Sequence, residues 1–63
     1  MYWVYVLYSE KYGRFYIGSS AEPDVRLEAH NAGRVPSTKV YKPWKRVWLE
    51  ECETRSQAEK RER

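Results

Sequence analysis

Residues 2–20, YWVYVLYSEKYGRFYIGSS, decide the fold of this 63-residue chain. The first eight of them are aromatic or β-branched at nearly every position, which is typical of a strand covered on both faces. The polar segment Glu10-Lys11-Tyr12-Gly13 ends in a glycine that can adopt a positive φ, so it predicts a hairpin loop. Residues 14–19, RFYIGS, then form the returning strand.

The hairpin also predicts which side chains share a face of the sheet. With a loop of this length, Tyr5 lies opposite Gly18, and Tyr16 lies opposite Leu7. The two tyrosines then lie diagonally on one face, with their backbones roughly 7–8 Å apart. A slip of one residue would place them on opposite faces. Gly18 inside a strand typically marks a place where another group approaches the backbone closely.

A helix follows the hairpin. Glu22-Pro23-Asp24 begins it, because proline suits the first turn and acidic residues are favoured at the positive end of a helix. Its end is expected near Asn31–Gly33, where glycine can form a left-handed cap. A loop is expected over residues 34–43.

The last third of the chain predicts one more strand and one more helix. Residues 44–51, WKRVWLEE, form the strand. Thr54 and Gln57 match a capping box, which predicts a helix that begins at Arg55. The order ββαβα predicts an α/β fold in which helices flank a small, three-stranded and mostly antiparallel sheet.

Size and composition set limits on the protein. A chain this short buries only ~60% of its unfolded surface, so we expect a single domain over residues 1–63 whose core relies on its aromatic side chains. The lone Cys52 and the lone histidine exclude a disulfide and a closed zinc site within the chain. We expect a cytoplasmic protein without a membrane partner, and a natural polypeptide that continues beyond Arg63.

Basic residues are concentrated in one segment. The chain has 12 Lys and Arg against 9 Asp and Glu, a formal net charge of +3. Residues 32–46 contain no acid, and with Tyr41 and Trp44 they suit a nucleic-acid backbone with stacked bases. A solvated loop whose aromatics fold back into the core explains the pattern equally well. The basic residues of the segment are Arg34, Lys39, Lys42, Lys45 and Arg46.

Five polar side chains are candidates for phosphodiester chemistry: Tyr5, Tyr16, Arg26, His30 and Glu62. A tyrosine, with a pKa near ~10, is a poor base unless a cation stabilises its phenolate. Arg26 and His30 are four residues apart and therefore share a helix face; arginine binds phosphate with two donors, and histidine relays protons. Glu62 can hold one Mg²⁺ that keeps most positions for water and phosphate. Each residue also has an ordinary structural interpretation, so spacing alone does not assign the site.

Five motifs follow one another over essentially the whole chain: Val4-Tyr5-Val6, Tyr16-Ile17-Gly18, Arg26-x-x-x-His30-Asn31-x-Gly33, Ser37-Thr38-Lys39-x-x-x-Pro43-Trp44, and Ala58-x-x-x-Glu62. In this order they resemble the GIY-YIG nuclease superfamily, in particular its small stand-alone bacterial members. Trp3 stands where the first motif of the superfamily has a glycine, and the roles of Thr38 and Lys39 in the fourth motif are unassigned.

The resemblance implies a nuclease that cuts DNA phosphodiester bonds with one divalent metal, usually Mg²⁺ or Mn²⁺. It implies that Glu62 is the metal ligand, that Arg26 steadies the scissile phosphate, and that His30 transfers a proton or contacts phosphate. It also implies that either Tyr5 or Tyr16 helps to activate the attacking water, and we favour Tyr16.

Two other functions remain open at this point. One is a module that binds nucleic acid through the segment 34–46 and does not cleave it. The other is an interaction domain that uses only the fold, since a fold does not fix a function.

Overall fold

The computed structural model describes residues 1–61 of the chain. The predicted ββαβα order is confirmed, and the three strands form one antiparallel sheet in the order β2-β1-β3. The elements are β1 (Tyr2–Ser9), β2 (Arg14–Ser20), α1 (Pro23–Asn31), β3 (Lys45–Cys52) and α2 (Arg55–Arg61).

The register of the β1–β2 hairpin is the predicted one. Tyr5 pairs with Gly18, and Leu7 pairs with Tyr16. Gly13, which closes the loop, has a φ of 62°, a conformation that glycine adopts without steric cost. Tyr5 and Tyr16 therefore lie on the same face of the sheet.

The central strand β1 is covered by one helix on each face. Because successive side chains of a strand point to opposite faces, Tyr5 and Leu7 face α1, where Leu27 packs against them. Val4 faces the other way and forms a second cluster with Cys52 and with Ala58 of α2. The nearly unbroken apolar sequence of β1 follows from this placement between two layers.

The helix α1 ends in the left-handed cap that the sequence predicts. Gly33 has a φ of 77°. Its N–H donates to the carbonyl of His30, and the N–H of Arg34 donates to the carbonyl of Ala29. This pair of bonds is a Schellman motif, and it turns the chain sharply just after His30.

The segment after the cap differs from the predicted loop in two respects. It contains a turn of 3-10 helix at Lys39–Tyr41, and β3 begins at Lys45 rather than at Trp44. The side chain of Asn31 binds both the backbone N–H and the carbonyl of Trp44. These backbone groups are therefore engaged by α1, and pairing of β3 with β1 begins one residue later.

The capping box at the start of α2 is confirmed, except that the Gln57 side chain binds the N–H of Glu53 and not that of Thr54. The N–H of Gln57 donates to Oγ1 of Thr54, and the Gln57 side chain accepts from the N–H of Glu53. Arg61 forms a bidentate ion pair with Glu50 on β3, with one hydrogen bond to each carboxylate oxygen, and lowers the pKa of that carboxyl group. The pair is largely exposed, so it contributes little stability. None of the described helices is long and apolar enough to cross a bilayer.

The described part of α2 leaves much of its side of the sheet open. Phe15 is 67% exposed, and Ile17 and Trp48 are also exposed. Val6 pairs with both Ile17 and Trp48, so all three lie on the face that α2 covers at its other end.

Substitution of Gly18 by alanine tests the close approach of the tyrosines. A methyl group at this position would lie 2.6 Å from Oη of Tyr5 and 3.0 Å from Cε1 of Tyr16. In an open strand, Gly→Ala stabilises a protein by roughly 0.5–1 kcal/mol. Here we expect overpacking to reverse the sign and to lower the free energy of unfolding by ~1–3 kcal/mol, measured by urea denaturation. A neutral or stabilising effect would contradict the packing.

Candidate active site

Two phenol rings and one imidazole meet on the α1 face of the sheet. Tyr5 is 1% exposed, whereas Tyr16 is half-buried. Their ring centroids are 6.5 Å apart, and the Tyr16 ring lies 4.9 Å from the ring of His30. Because Gly18 has no side chain, the Tyr5 hydroxyl reaches over its backbone. The close approach expected at Gly18 is thus made by Tyr5 itself.

His30 is fully buried and joins three parts of the fold through hydrogen bonds. Its Nε2 lies 3.2 Å from Oη of Tyr5 on β1, and its Nδ1 lies 2.7 Å from Oγ1 of Thr38 in the loop. Thr38 in turn donates to the carbonyl oxygen of Val35 at 3.3 Å. The sheet, α1 and the loop after it are therefore connected by one buried chain of polar groups.

The positions of the protons in this series of hydrogen bonds follow from the bond between Thr38 and Val35. A hydroxyl group has one hydrogen, and Thr38 uses it on Val35, so Thr38 accepts the hydrogen of Nδ1. A neutral imidazole has a single N–H, which leaves a lone pair on Nε2. Nε2 therefore accepts the hydroxyl hydrogen of Tyr5.

The neutral state of His30 has a physical cause. Burial lowers the pKa of His30 below its ordinary value of 6.5, and the positive charge of Arg26 lowers it further. Arg26 lies one helical turn before His30, and within residues 1–61 it makes no ion pair. Among residues 1–61, Arg26 is thus a guanidinium without an ion pair, close enough to the neutral imidazole to lower its pKa, and a guanidinium can bind a phosphate with two donors.

The loop that closes the site is attached by residues whose role the sequence did not reveal. Thr38 binds His30 through its side chain and Nε1 of Trp44 through its carbonyl, at 3.0 Å. Asn31 holds the backbone of Trp44 from the end of α1. The signal was present in the motifs that contain Asn31 and Thr38, but only the folded chain shows these residues positioning His30.

The five basic residues predicted to bind nucleic acid do not form one surface. Lys39 and Lys42 converge beside Gly33, which Arg34 follows directly. Arg46 instead pairs with Asp24 of α1 at 2.6 Å.

Lys45, another member of that set, lies opposite Tyr8 and therefore on the other face of the sheet. Trp44 is buried in the core with Tyr5 and Leu7, so it is not available to stack on a base. For this residue the alternative interpretation, in which the aromatics of the segment fold back into the core, is the one confirmed.

The predicted metal ligand, Glu62, lies outside the described residues. Within residues 1–61, no group of three or more His, Cys, Asp and Glu side chains is arranged to hold a metal ion. Phenol, imidazole and guanidinium groups suit water and phosphate, whereas Mg²⁺ is usually held by one or two carboxylates together with water and phosphate oxygens. The described residues alone therefore do not form a metal site.

A shallow cavity of about 300 Å³ lies elsewhere, between β3 and α2. It is lined by the Glu50–Arg61 ion pair and by the buried thiol of Cys52. Ala58, beside Cys52 in the same cluster, packs against the face of β1 opposite Tyr5. The cavity is thus separate from the tyrosine site, where the convergent polar groups are.

The fold and this group of side chains define a small α/β domain in which two tyrosines and a histidine meet on one face of the sheet. The family model of the GIY-YIG catalytic domain matches residues 1–63, the whole chain, so the protein belongs to the GIY-YIG family. Members of this family are generally endonucleases that act on nucleic acid and use divalent metal ions. Searches of curated proteins and of solved structures found no significant match.

The state of the imidazole can be measured directly, because His30 is the only histidine of the chain. We predict that long-range ¹H–¹⁵N spectra at pH 7.5 show Nδ1 protonated and Nε2 unprotonated. On titration, the C2 proton of the ring should report a pKa below 6.5, since burial and Arg26 disfavour the charged form. A pKa above 6.5, or protonation of Nε2 in the neutral ring, would contradict the hydrogen-bond chain.

The same depressed pKa makes stability depend on pH. Between the folded and unfolded pKa values, the unfolded chain binds more protons, so the free energy of unfolding falls as pH falls. This loss of stability is absent at pH values above the pKa of His30 in the unfolded chain, near ~6.5. It grows as the pH falls toward the lower pKa of His30 in the folded protein. We expect wild type to lose stability from pH 7.5 to 5.5 in urea titrations and His30→Gln to lose less. Equal slopes for the two proteins would disprove this linkage.

Proposed function

We propose that this protein is a DNA endonuclease that hydrolyses phosphodiester bonds and depends on a divalent cation, Mg²⁺ or Mn²⁺, held by Glu62. The observation that carries the proposal is the convergence of Tyr5, Tyr16 and His30 on one sheet face, with Arg26, which forms no ion pair within residues 1–61, one helical turn before His30. Family membership makes nuclease chemistry the expected use of such a site. We also propose a cytoplasmic location, because the lone Cys52 suits a reducing compartment.

The two tyrosines have different environments and therefore different proposed roles. Tyr16 is the more exposed phenol, so it is the one that can contact an attacking water. Tyr5 is buried and hydrogen-bonded to His30, so it acts as a positioning residue that fixes the imidazole and the floor of the site. This division agrees with the choice of Tyr16 made from the sequence.

Hydrolysis at this site needs little covalent chemistry from the protein. Arg26 binds the non-bridging phosphate oxygens, and the Tyr16 oxygen accepts a hydrogen bond from the water and orients it, while the proton of the water passes to solvent. The water oxygen bonds to phosphorus while the bond to the leaving sugar oxygen breaks, and that oxygen takes a proton from solvent. Positioning and charge stabilisation account for most of such rate enhancements. A divalent cation, when bound, would supply further positive charge at the phosphate.

Neutral His30 suits this scheme better than a charged one. An imidazolium beside Tyr5 would be buried without a carboxylate partner among residues 1–61, which is costly. The lone pair on Nε2 instead holds the Tyr5 hydroxyl in one orientation. At neutral pH the hydrogen-bonded side chains of Tyr5 and His30 therefore keep a fixed orientation. Arg26 then supplies the positive charge that binds the phosphate.

Nicking of supercoiled plasmid in Mg²⁺ or Mn²⁺ tests the proposal. We expect Arg26→Ala, Tyr16→Phe and Glu62→Ala each to lower the rate by ~10²-fold or more, the range seen when charge-stabilising or proton-transfer groups are removed. Arg55→Ala, an exposed change on α2, is the matched control and should leave the rate unchanged. If wild type and Glu62→Ala show the same trace activity, the enzyme proposal is lost.

A second candidate function is binding of nucleic acid without cleavage. It is favoured by Lys39 and Lys42, which converge beside Gly33 and form no ion pair within residues 1–61. This function requires salt-sensitive binding and no dependence on metal.

The double substitution Lys39→Ala/Lys42→Ala tests these two lysines as a phosphate contact. We expect it to weaken DNA binding and to reduce the slope of log K against log salt by ~2, because each lost phosphate contact removes ~0.9. Lys45→Ala is the matched control, since Lys45 extends from the opposite face. Fluorescence anisotropy over a salt series measures the slope. Equal slopes for the double variant and wild type would exclude these lysines as a contact.

A further inference from the structure

Aromatic rings and cations form a second cluster at the hairpin end of the sheet. The Tyr12 ring meets the Tyr41 ring edge-on, with centroids 5.6 Å apart. The guanidinium of Arg14 lies 4.9 Å from the centroid of Tyr41, and Nζ of Lys11 lies 5.5 Å from that of Tyr12. These four residues, Lys11, Tyr12, Arg14 and Tyr41, are called the hairpin cluster below.

The hairpin cluster is firmly attached to the rest of the domain. The Ser9 hydroxyl donates to the carbonyl of Tyr41 at 2.6 Å, which binds the 3-10 turn to the end of β1. The Tyr41 ring packs against the core that contains Tyr5 and Leu7. Tyr12, in contrast, is 46% exposed at the tip of the loop. One ring is thus fixed by the core, and the other is presented to solvent.

Charge on the sheet is segregated along the strands. Neither Lys11 nor Arg14 forms an ion pair within the described part of the chain. The acidic residues of β3 lie at the far end of the sheet, where Glu50 pairs with Val4 and Glu51 pairs with Trp3. The hairpin end carries Lys11 and Arg14 against one acidic residue, Glu10, so it offers a net positive charge together with flat aromatic faces. A partner that matches both carries negative charge and planar rings, as a nucleic-acid strand does.

The hairpin cluster lies beside the proposed cleavage site, one step along β2 toward the hairpin loop. Arg14 and Tyr16 are two residues apart on the same strand, so they share a face and are separated by about 7 Å. A stacked strand advances ~3.4 Å per nucleotide, so this distance corresponds to about two nucleotides. If a nucleic-acid strand with its phosphate at Tyr16 and Arg26 runs along β2 toward the hairpin, its neighbouring nucleotides lie at the hairpin cluster.

We propose that the hairpin cluster binds unpaired nucleotides that flank the scissile phosphate, with a base stacked on Tyr12 and a phosphate held by Arg14. The proposal rests on the proposed nuclease function and adds a substrate preference to it. Bases in a duplex are already stacked on their neighbours and cannot cover the Tyr12 ring. DNA with an unpaired flank, such as a flap or an overhang, should bind more tightly than a fully paired duplex of the same length.

Binding without cleavage tests this preference. Fluorescein-labelled flap DNA and a matched duplex are titrated with the whole chain in EDTA, and anisotropy gives both dissociation constants. Tyr12→Ala should weaken flap binding by about 5- to 150-fold, the effect of losing one stacked base, and should change duplex binding less than twofold. Tyr12→Phe keeps the ring and should retain wild-type affinity for both.

Arg14 is tested in the same assay. Arg14→Ala should weaken flap binding and reduce its salt slope by about one contact. Phe15→Ala is the matched control, because Phe15 is an exposed aromatic residue of the same hairpin that packs with Tyr8 on the opposite face. Equal loss on flap and duplex, or no loss with Tyr12→Ala, would overturn the proposal. The unfolding midpoint of each variant shows whether it is folded.

The outcomes separate this proposal from the nuclease function. If the protein binds flaps through Tyr12 but does not nick DNA with either Mg²⁺ or Mn²⁺, the hairpin cluster stands as a binding site and the nuclease proposal fails. A protein that nicks plasmid but does not discriminate flap from duplex retains the enzyme and loses the hairpin cluster as a subsite.

Discussion

The imidazole of His30 lies between the hydroxyl groups of Tyr5 and Thr38, and the rest of the structure depends on that arrangement. One bond reaches the central strand and the other reaches the loop after α1. In a domain of this size the hydrophobic core supplies only ~3–5 kcal/mol. A buried polar group left without its partner costs ~1–3 kcal/mol, a large share of that sum. Within residues 1–61 every buried polar side-chain atom has a partner.

The same chain of bonds connects stability with chemistry. His30 is kept neutral by burial and by Arg26, and its neutral form is the one that accepts the Tyr5 hydrogen bond. Tyr5 in turn lies over Gly18, and its ring contacts that of Tyr16. The groups proposed to handle the phosphate are thus positioned by the contacts that hold the helix to the sheet. The hairpin cluster extends this surface along the strand direction toward the positive end of the sheet.

Much of the fold follows from local sequence signals, and the site does so only in part. The loop length and Gly13 set the register that brings Tyr5 and Tyr16 together, and Gly33 ends α1 where expected. The contacts of Thr38 and Asn31 were not predictable, because they join residues through a loop with no periodic pattern.

The charged residues show the same limit. Lys39 and Lys42 converge in space, whereas a register shift in the pairing of β3 directs Lys45 to the other face of the sheet. No local sequence pattern predicts such a shift.

A double-mutant cycle between Tyr5→Phe and His30→Leu, measured as free energies of unfolding, tests most directly whether the His30 hydrogen bonds hold the structure together. We expect a coupling energy of ~1 kcal/mol or more, since each change already removes the bond that the other would remove. Additive losses, within ~0.5 kcal/mol, would contradict it.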